Sequence, residues 1–259
     1  MIISVVTVAL NAEKTIAYSL DSVASQTHSE VEHLLIDGGS TDNTLAIAKQ
    51  HGKHLSLLRS ERDQGIYDAM NKGAKLAKGE VLGFLNADDF YVKKETLQEV
   101  ATVFRDPTID VCFGDLLYVR KKNSKTVIRL WRPGKYFPGR FALGWAPPHP
   151  TFFVRRLVFN AVGGFNLKYK LAADNDLMMR ILECFGYKSH YLPKTIVKMR
   201  AGGVTNKNIL NIIHGNKEIL SALKSNGIKV NVWSYVKEKS LLKIKHYLAG
   251  LSKNQLFNM

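Results

Sequence analysis

Two acidic clusters carry most of the chemistry that can be read from this chain. Asp37-Gly38-Gly39-Ser40-Thr41-Asp42 follows the apolar run His33-Leu34-Leu35-Ile36, and Asn86-Ala87-Asp88-Asp89 follows Val81-Leu82-Gly83-Phe84-Leu85. In an open α/β sheet, ligands bind at the carboxyl ends of strands. A carboxylate there can accept a hydrogen bond from a base N–H or a ribose hydroxyl, or it can hold a metal ion. Neighbouring carboxylates repel, so Asp88-Asp89 gains most from a nearby cation. A divalent ion held by one or two carboxylates and by phosphate oxygens is a magnesium-type arrangement. The two clusters together point to an enzyme that binds a nucleotide through a divalent metal. Each also has a plainer reading: Asp37 could start a turn and cap the next helix, and Asn86–Asp89 could be a polar turn. Gly38-Gly39 allows a tight turn and close approach of a ligand to the backbone. No GxGxxG follows the first apolar run, so the dinucleotide-binding fingerprint is missing.

The elements that must position these residues alternate in type. Residues 2–9, 31–37, 55–60 and 81–85 read as strands. Residues 11–26, 41–51 and 69–77 read as helices, with Asn11 as a cap for the first and Ser40 or Thr41 for the second. This alternation predicts a largely parallel sheet with crossover helices. Beyond residue 90 the rhythm changes. Residues 95–104 and 176–185 read as helices, and residues 111–117, 126–131 and 151–154 as strands. The Gly-, Pro- and aromatic-rich stretch 132–150 reads as an irregular loop lining a site.

Four stretches, in order, resemble the family 2 glycosyltransferases of the bacterial polysaccharide type. They are Ser4-Val5-Val6-Thr7-Val8-Ala9-Leu10-Asn11, Ile36-Asp37-Gly38-Gly39-Ser40-Thr41-Asp42, residues 60–73 from Ser60 through Asp63-Gln64-Gly65 to Gly73, and Leu85-Asn86-Ala87-Asp88-Asp89. The likeness covers about the first ninety residues and extends more loosely to about residue 204. It implies a GT-A fold: a Rossmann-like, mostly parallel central sheet flanked by helices, with a basic helical C-terminal extension. It implies a catalytic domain over 1–204, its nucleotide-binding half about 1–90 and its acceptor half about 91–204, and an extension over 205–259. The donor is then a nucleotide-diphosphate sugar, a UDP-sugar by expectation, and the acceptor a glycan or a lipid-linked sugar in bacterial surface polysaccharide or lipopolysaccharide assembly.

Residue by residue, the resemblance puts Asp37 on the base. Thr7, Ala9, Asn11 and Asp63 line the nucleotide pocket. Asn86-Ala87-Asp88 stands where the family has a DxD-type motif, with Asn in its first place. Asp88 is then the ligand of Mg²⁺ or Mn²⁺, helped by Asp89. In Ala172-Ala173-Asp174-Asn175-Asp176 the family's catalytic base falls on Asp174, with Asp176 in reserve and Ala173 where a Glu is usual. An inverting transfer needs such a base to take the acceptor proton. The alternative is that both acids simply favour a helix N-terminus.

Three further features stay open between a role and packing. His149, in a proline-rich loop, is a third candidate metal ligand or phosphate contact, or a packed ring. Phe141 and Trp145 are a platform for a sugar ring, or core. Arg200, in Arg200-Ala201-Gly202-Gly203-Val204-Thr205, could stabilise a leaving diphosphate from a closing loop, or be a surface arginine without a role.

Composition sets the outer bounds. The 259 residues, 46% of them apolar, suffice for a full core. The net charge of +15 favours an anionic partner. Residues 205–259 hold nine Lys and two Glu and contribute +7 of it. The mixed apolar and lysine run 233–248 is expected either to pack on the catalytic domain or to touch an anionic membrane. A basic nucleic-acid-binding protein is the non-enzyme alternative that this charge raises, but no such motif accompanies it, so no nucleic acid is expected. A sugar-phosphate nucleotidyltransferase, the enzyme alternative, lacks its glycine-rich basic loop after the first strand. Cys112 and Cys184 match no metal or redox spacing and are expected as buried free thiols. The apolar N-terminus reads as a buried strand, and no run of about eighteen apolar residues occurs. The expected place is the cytoplasm, with peripheral contact at the inner face of the plasma membrane.

Overall fold

The computed structural model describes residues 1–121, 123–202 and 209–257. Its first strand, β1 (Ile3–Ala9), is buried along its whole length, as expected of a central strand covered on both faces. Helix α1 (Ile16–Ala24) leads to β2 (Val31–Asp37), α2 (Thr44–His51) to β3 (Leu57–Ser60), and α3 (Ile66–Leu76) to β4 (Val81–Asn86). These four strands pair in parallel in the order β3-β2-β1-β4. Their register matters for function. Ala9 lies opposite Asp37, and Val8 opposite Asn86, so both acidic clusters leave the sheet at the same edge. Helix α3 buries Ala69, Met70, Gly73 and Ala74. It crosses the sheet so closely that a Cβ on Gly73 would lie 2.3 Å from Val6 Cγ1.

The rest of the chain extends the same sheet. The short β5 (Phe90–Tyr91), α4 (Thr96–Phe104), β6 (Val111–Val119), β7 (Val127–Trp131), β8 (Phe153–Arg155), α5 (Arg156–Ala161), α6 (Ala173–Met179) and β9 (Ser189–Arg200) follow in turn. A single π-helical turn, Arg180–Cys184, continues α6. Helices α7 (Ile209–Ser225) and α8 (Val232–Phe257) complete the described chain. The strand order is β3-β2-β1-β4-β8-β6-β9-β5, with β7 on β6.

The first half is wholly parallel, while the second is mixed: β6 and β9 pair in parallel, and β7 runs antiparallel to β6. β8 runs antiparallel to both β4 and β6, and β5 antiparallel to β9. The expected helix caps also move. Asn11 does not cap α1, whose N-cap is Thr15, and α2 begins after Asn43 rather than after Ser40 or Thr41. β9 has no sequence signature: Pro193 and Lys194 interrupt its alternation, and the ladder with β6 skips there, from Gly114↔Leu192 to Asp115↔Thr195. Phe141 and Trp145 are core, not a platform; Trp145 packs on Phe113, Tyr136 and Phe141 and donates Nε1–H to the Pro133 carbonyl at 2.7 Å. Cys112 is buried, but Cys184 is exposed.

Candidate active site

Asp37 ends β2 fully buried. Its Oδ2 accepts from the backbone N–H of Gly39 (3.1 Å) and Ser40 (2.9 Å) and from Ser60 Oγ (2.7 Å), and its Oδ1 accepts from Ser40 Oγ. The carboxylate is therefore occupied in shaping the 37–40 turn. That turn is tied to the end of β1. Gly38 N–H donates to the Ala9 carbonyl at 2.8 Å, Asn11 N–H to Ser40 Oγ at 2.8 Å, and Thr41 N–H to Asn11 Oδ1 at 2.9 Å. Asn11 has φ 50°, a left-handed conformation that asparagine tolerates. Thr7 faces away from this edge. It is fully buried, and its hydroxyl pairs with His33 Nε2 at 2.8 Å.

Gly38 explains Asp63. A Cβ on Gly38 would sit 2.4 Å from Asp63 Oδ2. The Asp63 carboxylate thus fills the space that a side chain at 38 would take. Its Oδ1 accepts from Gly65 N–H at 2.8 Å, which leaves Oδ2 over the glycine.

At the end of β4, Asn86 Nδ2 donates to Asp89 Oδ2 at 3.1 Å. Asn86 Oδ1 and Asp89 Oδ1 are buried oxygens with no hydrogen-bond partner among the described residues. Burial pushes the carboxyls of Asp88 and Asp89 above the usual carboxylate range, and for Asp89 the charge of Asp88 adds to this. The pairing of β5 with β9 brings Arg200 to this corner. Arg200 is the last residue of β9 and is buried, not a surface or loop arginine. Its guanidinium lies over the rings of Tyr18 (4.9 Å) and Phe90 (5.2 Å), and its charge opposes the upward shift of both carboxyls. Residues 203–205 of the expected closing loop lie outside the described residues.

Orphaned buried oxygens beside a carboxylate strained towards protonation fit a hard divalent cation such as Mg²⁺ or Mn²⁺. The protein donors would be Asp88 and Asp89. Among the described residues no group of three or more His, Cys, Asp or Glu could hold a metal, so the expected set of Asp88, Asp89 and His149 is not assembled. The His149 ring is instead buried against Phe84 and Phe165, at 5.7 and 5.5 Å between centroids. Burial lowers its pKa below the ordinary histidine value, and the charge of Asp174 opposes this.

The structure separates the two acids of α6. Asp176 is buried; its Oδ2 takes both Nε (2.9 Å) and Nη2 (2.8 Å) of Arg180, and its Oδ1 accepts from Asn226 Nδ2 at 3.0 Å. Arg180 also donates to the carbonyls of Val162 and Gly164. Asp176 therefore ties α6 to the end of α7, with both of its oxygens engaged by protein partners. Asp174 is partly exposed and accepts at Oδ1 from Tyr67 O–H at 3.0 Å and Asn175 Nδ2 at 3.3 Å. Tyr67 was not singled out by its sequence context. Its only signal is its place one turn before Met70 and two before Ala74, in line with the buried stripe of α3. Lys239 of α8 also senses this corner. It donates to Asn216 Oδ1 and Tyr235 Oη, both at 2.8 Å, and burial lowers its pKa to about 8 against the opposing charge of Asp174.

Residues 4–162 match the family model described as Glycosyl transferase family 2. A PGL/p-HBAD biosynthesis glycosyltransferase of Mycobacterium bovis (strain BCG / Pasteur 1173P2) is 34% identical over 209 residues, 78% of each chain. Among solved structures, S. aureus TarS 1-349 in complex with UDP-GlcNAc matches with a TM-score of 0.64 at 21% identity, over 92% of this chain and 79% of that one. Of another TarS 1-349 structure the chain spans 65%, less than two thirds. The mannosyltransferase PcManGT from Pyrobaculum calidifontis, in complex with GDP-Man and Mn2+, matches with a TM-score of 0.61 at 16% identity, over 98% of this chain and 86% of that one. These structural likenesses show the GT-A fold.

Proposed function

Because the chain belongs to glycosyl transferase family 2, we propose that it moves a sugar from a UDP-sugar to a hydroxyl of a glycan or lipid-linked acceptor, with inversion and with Mg²⁺ or Mn²⁺. The observation that carries this reading is the shared sheet edge, where Ala9, Asp37 and Asn86 stand side by side. The 37–41 turn, Asn11 and Asp63 take the nucleoside. Asp88 and Asp89 hold the ion, which when bound supplies positive charge to the leaving diphosphate. Arg200 adds a fixed positive charge at the same corner.

Asp174 is the base. As the acceptor oxygen bonds to the anomeric carbon, the bond from that carbon to the diphosphate oxygen breaks, and the hydroxyl proton passes to Asp174. Tyr67 holds the carboxylate on its other side. Attack opposite the leaving group inverts the anomeric centre. His149 packs behind this corner, against Phe84 and Phe165.

The catalytic part is 1–204 and the extension 205–259; helix α8 of the extension packs so closely on the Gly144 turn that a Cβ on Gly144 would lie 2.6 Å from Lys239 Cβ. Surface polysaccharide or lipopolysaccharide assembly in the cytoplasm suits this chemistry. The M. bovis relative is named for PGL/p-HBAD biosynthesis, which supports a biosynthetic role. Among the described residues no helix is long and apolar enough to cross a membrane.

Incubation with a panel of nucleotide-sugars and acceptor glycans tests the reading, with products followed by mass spectrometry and NMR. A new glycoside of inverted anomeric configuration, formed by the wild type and not by Asp174→Asn, is expected. A retained configuration would overturn the single-displacement step.

A further inference from the structure

Helix α8 carries apolar residues on two opposite faces. From Tyr235 to Gly250 the inward face is packed against the rest of the protein. Tyr235 and His246 are buried, Leu242 packs on the main core, and Ala249 packs on the cluster around Leu117 and Leu130. His246 Nε2 pairs with the Arg132 carbonyl at 3.2 Å. Gly250 comes so close that a Cβ there would lie 2.8 Å from Arg129 Cα. The helix is thus clamped along β7 as a rod about 39 Å long.

The outward face is largely uncovered among the described residues; Tyr247, at its edge, lies under the Arg129 guanidinium at 5.8 Å. Trp233 is 85% exposed, Leu248 61%, Leu251 60% and Ile244 55%, with Leu241 and Val236 about half exposed. At 100° per residue, Trp233, Ile244 and Leu251 fall on one line, with Leu241 and Leu248 to one side of it and Val236 to the other. Contiguous apolar surface of this kind marks an interaction site. Three exposed lysines belong to it: Lys237 lies within the stripe, and Lys243 and Lys245 flank it on either side.

We propose that this face of α8 lies in the surface of an anionic bilayer, with Trp233, Ile244, Leu248 and Leu251 among the acyl chains and the lysines at the lipid headgroups. Charge decides between the candidate occupants. A second copy docked face to face would bring the two sets of lysines together with no acid to meet them; Glu238, the one acid in this stretch, lies off the stripe. A nucleic acid would answer the lysines but would leave Ile244, Leu248 and Leu251 uncovered. An anionic lipid surface answers both. Because the inward face is clamped, docking fixes the whole catalytic body relative to the membrane. The proposal stands on α8 alone and does not need the transferase reading.

Flotation of the full chain with phosphatidylcholine vesicles, with and without phosphatidylglycerol, tests it. The expected result is binding to the anionic vesicles only, about tenfold weaker in high salt, with a blue shift of the tryptophan emission that Trp233→Phe removes. Ile244→Glu/Leu248→Glu changes only exposed positions, so its melting temperature and its transfer to a soluble acceptor should stay at wild-type values while vesicle binding is lost. Absence of binding at low salt, or equal binding by the double variant, would overturn the proposal. So would a concentration-dependent dimer that the double variant dissociates, which would give the face to a second copy.

Discussion

The Tyr67 phenol donates a hydrogen bond at 3.0 Å to Asp174 Oδ1, joining residues 107 positions apart. Tyr67 sits at the start of the last crossover helix of the parallel half, and Asp174 in the first turn of α6. The contact sets the proposed base by a group from the nucleotide side of the molecule. Asp174→Asn is expected to lower kcat by roughly 10²–10⁴-fold, the range for loss of a general base. Tyr67→Phe removes only the positioning bond. It should lower kcat by about tenfold and leave the donor KM near wild type, since a net hydrogen bond to a charged group is worth roughly 1.5–3 kcal/mol. Steady-state kinetics separate the two. A donor KM effect alone in Tyr67→Phe would place Tyr67 in the nucleotide pocket instead.

Asp176 should behave in the opposite way. Its two oxygens are engaged by Arg180 and Asn226, and breaking a buried ion pair by removing one partner costs roughly 3–5 kcal/mol. Asp176→Ala is expected to lower the melting temperature by several degrees and to leave the kcat of the folded fraction close to wild type. A stable but inactive Asp176→Ala would make Asp176 the base.

The space shared by Gly38 and Asp63 gives a coupled prediction. Gly38→Ala puts a methyl group where Asp63 Oδ2 now lies. It should weaken nucleotide binding about tenfold, as should Asp63→Ala, and the double variant should be no worse than either single one. Calorimetric titration with the nucleoside diphosphate reads this directly. Additive losses would show that the two positions act independently.

Asp89 links metal, pH and stability. Its folded-state pKa is raised by burial and by Asp88. The folded protein therefore binds the proton more tightly than the unfolded chain, and this contribution is present at low pH and is lost as pH rises above the ordinary carboxylate value. Without metal, melting temperature should fall from about pH 4 to pH 7 more steeply in the wild type than in Asp89→Asn. At neutral pH, Asp89→Asn should melt about 2–4 °C higher in chelator, and Mn²⁺ should raise the wild type more than the variant. A variant less stable than wild type in chelator would refute the strain at this corner.

Much of this was legible in sequence because parallel strands buried on both faces read as continuous apolar runs, and their carboxyl ends hold the ligands. Residues 3–9, 31–37 and 81–86 are such strands, so Asp37 and Asn86–Asp89 could be placed on one edge. The partners of those residues were less legible. Asp37 is consumed by Ser40 and Ser60, a tertiary fact that no local pattern carries. Arg200 read as part of a loop because Pro193 and Lys194 break the alternation of β9, which is held by its ladder with β6. Phe141, Trp145 and His149 have the composition of a site loop and the burial of a core. Asp174 and Asp176 could not be told apart until Arg180 and Asn226 were seen beside the second.

The most direct test of the central claim is thermal stabilisation by UDP, GDP and related nucleoside diphosphates and their sugars, with and without Mn²⁺, on the wild type and on Asp88→Ala. We predict a shift with one base, largest for UDP and UDP-sugars, that needs the metal and is lost in Asp88→Ala. A shift with none of them, or an equal metal-independent shift in the variant, would contradict a donor site at the β4 edge.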